Sequence, residues 1–195
     1  MPKIRRSPSG PSLTPRYEEI PGEIFRAGGG SDFTFQAYRN TPYKMFFCRH
    51  DQNDEGHFRY ALPNSWSRKG LIEFVTHVVP AGAGSGNVVF DGYYAWTTAA
   101  DGELPVLSGW TAFRGLYTVS ASDQYMQKRY TLFSTTAPTE HCASDTSILI
   151  YLRRPGLADS ADTYNATNPD GLGQANLGFI ATRIRYQVDS FGSRT

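Results

Sequence analysis

Residues whose types could do chemistry are few in this chain, and most sit between its apolar stretches. The densest cluster is "HDQNDEGH" (50–57). Asp51, Asn53 and Glu55 with Gly56 match the first half of a calcium loop, where alternate oxygens face one ion and Gly makes the turn. The bidentate Glu due at the loop's end is replaced by Leu62, and no helical pattern flanks the stretch. His50 and His57 could meet across a hairpin and hold a metal. A polar hairpin loop is the plainer reading, and neither a metal nor another cofactor is expected. "EHCASD" (140–145) sets His141 beside Cys142. A thiol nucleophile needs an imidazole within hydrogen-bond reach, yet neighbours on an extended chain point to opposite sides. Glu73 and Asp91 fall in predicted strands, but glycoside hydrolysis needs two carboxylates at a defined separation, which spacing along the chain does not supply. "GAGSGN" (82–87) has the glycines of a phosphate loop without its Lys-Ser/Thr, and a strand rather than a helix follows. G-x-S-x-G, H-E-x-x-H and C-x-x-C do not occur. No catalytic residue is assigned, and the chain is expected not to be an enzyme.

The elements that would carry these residues read as strands. "YKMFFCR" (43–49), "HFRYAL" (57–62), "GLIEFVTHVV" (70–79), "NVVFDGYYAWT" (87–97), "WTAFRGLYTVS" (110–120), "QKRYTLFST" (127–135), "TSILIYLRR" (146–153) and "LGFIATRIRYQVD" (177–189) are separated by turn-rich segments. In the last, Ile180, Thr182, Ile184, Tyr186 and Val188 alternate with Arg183, Arg185, Gln187 and Asp189. That period of two with one wet face marks an antiparallel sheet packed on one side. Gly92, inside a strand, suggests a bulge or bend. No stretch has helical apolar spacing. About eight antiparallel strands in two sheets predict an all-β, jelly-roll-like sandwich. The connection 154–176 is long enough to be functional or mobile.

Composition narrows the function classes. A formal net charge of +1 does not suit a protein whose main partner is nucleic acid. No apolar run is long enough for a membrane helix, and no secretory signal is visible. Cys48 and Cys142 are read as free thiols. Residues 1–30 differ from the rest. Lys3, Arg5, Arg6 and Arg16 face no acid through position 16, and proline recurs at 2, 8, 11, 15 and 21. Proline fixes φ and removes backbone donors, so this stretch is expected to be an extended basic arm before a sandwich domain at 31–195. Trp66, Trp96 and Trp110, with Tyr93, Tyr94, Tyr117, Tyr125 and Tyr130, are candidates for a sugar platform, but core or subunit-interface positions are favoured for most of them.

"LPNSWSRKGLIEFVTHVV" (62–79), followed by "GNVVFDGYYAW", resembles a pattern found among small structural proteins of tailed bacteriophages. It runs Leu-Pro, a Trp in a tight turn, Gly, a long strand, a Gly-rich loop and a second strand. "ILIYLRR…ADSADTYN…ANLGFIATRIRYQVD" is similar to the closing pair of strands there, with Asp162-Thr163 between them. The chain departs from the pattern at Arg68-Lys69, where an Asp and Gly are more usual. The resemblance implies a β-sandwich or jelly-roll virion component, often trimeric and without catalytic residues. The expectation is a cement or decoration protein on the outer surface of a phage head, a homotrimer that clamps neighbouring major capsid protein subunits. Its arm, with Lys3, Arg5, Arg6 and Arg16, would lie on the shell. The alternative is a receptor- or glycan-binding module of a tail or head fibre, using loop aromatics and the 154–176 connection. Trp66 is expected to brace the end of the sandwich rather than meet a ligand.

Overall fold

The structure, a computed structural model, describes residues 16–21, 23–25, 31–39, 41–63, 66–67, 69–98, 106–141, 146–166 and 175–188. Its strands are β1 (Arg16–Pro21), β2 (Glu23–Phe25), β3 (Ser31–Asp32), β4 (Thr34–Ala37), β5 (Lys44–Arg49), β6 (Asp54–Ala61), β7 (Ile72–Pro80), β8 (Gly86–Thr98), β9 (Val106–Leu107), β10 (Thr111–Val119), β11 (Lys128–Thr135), β12 (Thr146–Arg154) and β13 (Ala175–Val188). The longer strands, β5 to β8 and β10 to β13, lie where the apolar runs and alternation place them.

Their pairing explains the architecture. β8 pairs β10, β7 pairs β11, β6 pairs β12 and β5 pairs β13, all antiparallel. The chain is thus one long doubled ribbon with its tip at β8 and β10. The ribbon rolls up, because β12 also pairs β8 and β13 also pairs β7. Two sheets result, ordered β11-β7-β13-β5-β4 and β10-β8-β12-β6-β2. This is a jelly roll, the arrangement in which two sheets share one core and few strands are left as edges. Between the sheets lie Ile72, Phe74, Phe90, Ile150, Leu152 and Ile184, each nearly or fully buried. Aromatic rings meet across the middle, with Phe90 5.6 Å from Phe179 and Phe58 5.9 Å from Phe74. Fully burying one such side chain is worth about 1.5–3 kcal/mol.

Three sequence expectations change. The even-numbered face of the last strand does not extend to Ile180. A register shift between Phe179 and Ala181 against β7 turns Ile180 outward, and Leu177 and Phe179 enter the core instead. One extra residue in one strand reverses the alternation beyond it. Gly92 marks no bulge, since both of its ladders run through it in register. It is needed because the Tyr151 carbonyl oxygen would sit 1.9 Å from a Cβ placed there. Lastly, residues 16–25 are not wholly extended away from the domain: β1 pairs with β13 and β2 with β6. Lys3, Arg5 and Arg6 lie outside the described residues.

One end of the sandwich is closed by two indoles. Trp66 forms a bridge to Val188 at the end of β13, in the first sheet, and Trp96 belongs to β8, in the second. Their rings stack 6.1 Å apart at 15°, and both are buried. The turn that presents Trp66 is held by Trp66 N donating to Pro63 O at 3.0 Å and Ser67 N donating to Gln187 O at 2.8 Å. A Cβ at Gly70 would come within 2.8 Å of Gln187 Cβ, so glycine lets the turn lie on β13. The Trp66 Nε1 proton meets no acceptor among the described residues. Trp66→Ala should therefore lower stability by about 3–5 kcal/mol, while Trp66→Phe should lose far less, both read by denaturant unfolding. A Trp66→Ala variant as stable as the parent would remove the bracing role.

Candidate functional site

The opposite end of the sandwich is polar and closed. Along β12 the inward positions run Ile148, Ile150, Leu152 and then Arg154, whose side chain is fully buried. Arg154 Nε and Nη2 donate to the two carboxylate oxygens of Asp162 at 2.9 and 2.8 Å, and Nη2 also reaches Tyr164 O. The same carboxylate accepts from Val89 N on β8 at 3.2 Å. His50 Nε2 lies 2.9 Å from Asp162 O, and Leu157 N donates to His50 O at 2.8 Å. Gly156 has φ +52°, and a Cβ there would meet His50 O at 2.1 Å, so only glycine suits this corner. Further along, Tyr164 OH donates to Gly82 O at 2.8 Å, while Asn87 N donates to Thr163 Oγ1 at 2.9 Å. The Gly-rich loop is the seat for this strap: added Cβ atoms at Gly82 and Gly84 would approach Ala166 Cβ to 2.6 and 2.5 Å. Residues 155–166 are thereby packed down as structure.

Cys48 lies in the same buried corner, and burial pushes its thiol from the ordinary 9.0 up to about 12. Burial likewise raises Tyr164 to about 12. Cys142 lies outside the described residues. His141, its neighbour, is buried with Nδ1 3.0 Å from Thr98 Oγ1.

The 50–57 segment does not take the shape of a calcium loop. Its turn spans only 50–53, and Glu55 and Gly56 are already in β6. The buried carboxylate is Asp54, which accepts from Arg49 N at 2.7 Å and from the Arg49 guanidinium at 3.1 Å. His50 turns towards Asp162, whereas His57 lies against Tyr151 on the outer face, with ring centroids 5.0 Å apart. Glu73 and Asp91 cannot act as a carboxylate pair. They project from the outer faces of opposite sheets, Glu73 to Arg185 at 2.9 Å and Asp91 to Arg153 at 2.7 Å.

The open surface with convergent side chains is the outer face of the second sheet. Register sets Tyr151 on β12 between His57 on β6 and Tyr93 on β8. Tyr93 and Tyr151 are near parallel, 6.3 Å apart at 23°. The next row holds Arg59 and Leu149. Trp110 arrives from the segment after β9. That segment stays tied to β8 by Ser108 N donating to Trp96 O and Trp96 N donating to Ser108 Oγ, both at 2.8 Å. Trp110 is 53% exposed and Tyr93 50%. A depression of about 330 Å³ is lined by His57, Arg59, Leu149 and Trp110. A second of about 390 Å³ is lined by His57, Tyr93, Trp110 and Tyr151. Shared side chains make them one groove, of a size that suits a small ligand. On its far side runs a charged row. Tyr151 OH donates to Glu55 at 2.6 Å, Arg153 grips Asp91 through two bonds of 2.7 Å, and Arg114 meets Asp159 at 2.7 Å. Burial, and the hydrogen bond to Glu55, push Tyr151 up to about 12.

A third feature is the flank formed by β10 and β11, the terminal strands of the two sheet orders. Phe113, Tyr117, Tyr130 and Phe133 belong to the core edge but are only half-buried. Tyr117 stacks on Tyr130 at 4.3 Å and donates to Thr131 O at 2.7 Å. Leu116 beside them is exposed.

Of the three tryptophans singled out in the sequence, Trp66 and Trp96 form the buried stack, and Trp110 stands on the surface. Tyr164 is buried in the strap, so Trp96, Trp110 and Tyr164 build no joint loop platform. The groove was missed because it depends on which strands become neighbours. Its local signs were Tyr93 and Trp110, both among the candidate platform rings of the sequence, though nothing local brings them together. No protein-family model matches the chain, and no curated protein matches it in sequence.

Asp162→Ala should cost about 3–5 kcal/mol in denaturant unfolding, because it leaves the Arg154 guanidinium buried without its partner. The joint replacement Arg154→Met with Asp162→Leu should recover much of that loss. A second expectation concerns pH. The folded chain holds the Cys48 proton more tightly than the unfolded chain, whose thiol keeps the ordinary 9.0. This contribution is complete below about pH 9 and is lost as pH rises towards 12. Thermal midpoints should fall over that window, less steeply in Cys48→Ala, and a thiol reagent should label Cys48 only after unfolding.

Proposed function

We propose that this chain is a non-enzymatic structural protein of a virion, a jelly-roll subunit that assembles as a homotrimer through its β10–β11 flank. In this reading it is a cement or decoration protein on the outer surface of a phage head, clamping neighbouring major capsid protein subunits. The observation that carries it is the flank itself: two adjacent edge strands, each paired on one side among the described residues, with a half-covered aromatic ladder between them. Unprotected edges of this kind invite pairing with another chain. Aromatic side chains also give much contact area for little lost conformational freedom. The sequence resemblance to phage structural proteins adds the setting. Residues 1–15 hold Lys3, Arg5 and Arg6, and Arg16 opens β1. An arm starting from that strand, rich in proline and positive charge, suits contact with an acidic shell by ordering on it.

Light scattering on the full-length protein at several concentrations should give the mass of three chains. Leu116→Glu, which puts a charge on the exposed part of the flank, should shift that mass to one chain while leaving circular dichroism unchanged. Removal of residues 2–15 should keep the trimer and abolish co-sedimentation with capsids. A wild-type monomer at every concentration would sink the flank assembly.

A further inference from the structure

We propose that the groove on the outer face of the second sheet is a carbohydrate site, and that it takes a glycan bearing an acidic sugar. This goes beyond assembly and rests on a different surface from the flank. The aromatic groups come first. Trp110 and Tyr93 are half-exposed, and Tyr93 is near parallel to Tyr151. Broad, exposed ring faces suit the CH faces of pyranose rings, which pack on them while their hydroxyls point sideways to polar groups. Glu55, Arg59, Asp91 and Arg153 bound the groove and set polar groups beside the rings.

Charge then selects among sugars. The carboxylates described beside the groove are engaged: Glu55 by Tyr151, Asp91 by Arg153, and Asp159 beyond it by Arg114. Arg59 is exposed, lines the groove beside Trp110, and makes no ion pair among the described residues. Glu23 on β2 is the register neighbour of Arg59, but the guanidinium that lines the groove is Arg59's, and its fork matches a carboxylate. The sugar carboxylate lies on Arg59, one pyranose ring lies against Trp110, and the chain of sugars continues over Tyr93. The ion pairs behind the groove hold the strands' outward side chains in place, so the site is formed before the ligand arrives.

The test uses the full-length protein and four probes: polysialic acid, hyaluronan and polygalacturonate as acidic chains, and dextran as a neutral one. Binding is read by gel retardation and by tryptophan fluorescence. At least one acidic chain should bind in preference to dextran. Trp110→Ala should weaken that binding about tenfold or more, as loss of a central ring does. Arg59→Ala should erase the preference for the acidic chain. Both side chains are exposed, so both variants should keep the parent's thermal midpoint, which separates a lost site from a lost fold. No binding by any probe overturns the proposal, as does binding that Trp110→Ala leaves unchanged. Equal binding of dextran overturns the acidic assignment. If Trp110→Ala instead lowers the mass in solution, the groove is an interface between copies and the carbohydrate site is overturned. Failure of the flank assembly would leave these results untouched.

Discussion

The buried pair of Arg154 and Asp162 is the constraint on which one end of this molecule depends. A charge removed from water is costly unless its partner is near and its remaining hydrogen-bonding capacity is filled. Here both conditions hold. The Asp162 carboxylate takes two bonds from Arg154 and one from Val89 N, and the guanidinium also reaches a backbone carbonyl. The pair joins the end of β12 to the following strap and, through Val89, to β8. His50 brings in the turn after β5, from the other sheet. A hydrophobic plug of the same size could be as stable, but it would not hold the strap in register over the Gly-rich loop.

The two ends solve one problem by different means. Rolling a ribbon into two sheets leaves a slot open at each end, where water would otherwise reach the core. At one end the stacked indoles of Trp66 and Trp96 fill it. At the other, the strap and its ion pair do. With both ends closed, the surfaces left for partners are the faces and the flank. The outer face of the second sheet carries the groove, and the β10–β11 flank carries the aromatic ladder. Trp110 stands just before β10, so a partner on the flank and a ligand in the groove would be neighbours without needing the same side chains.

Much of the fold was legible because it rests on local pattern. The alternation of Thr182, Ile184, Tyr186 and Val188 holds in the structure, and every long strand lies where β-branched and aromatic residues cluster. What was not legible depends on partners far along the chain. The bulge that turns out Ile180 arises where β13 meets β7. Gly92 reads as a bulge signal in sequence, whereas its reason is the Tyr151 carbonyl across the ladder. Asp162-Thr163 stood out as a shared dipeptide, but its purpose needs Arg154 and Asn87 beside it. The long connection had the length of a mobile loop, and nothing in its composition announced that its residues 155–166 are packed down. The groove is the extreme case. His57, Tyr93, Trp110 and Tyr151 come from separate segments, and only the rolled ribbon aligns them.

The exposure of that aromatic row is itself informative. A scattered surface aromatic needs no explanation, but rings gathered in one groove and backed by fixed ion pairs are another matter. The paired hydrogen bonds from Arg153 to Asp91 run across two strands, and Tyr151 is tethered to Glu55 on a third. These contacts fix the rotamers of side chains that would otherwise move freely in water, so part of the ordering entropy is met during folding. A partner meeting Tyr93, Tyr151 and Trp110 then finds their supports already in place. Such pre-organisation raises affinity by lowering what binding must order. It gives the face a physical reason to remain uncovered in the single chain, while Trp66, Trp96 and most of the phenylalanines described are drawn into the core and its edge.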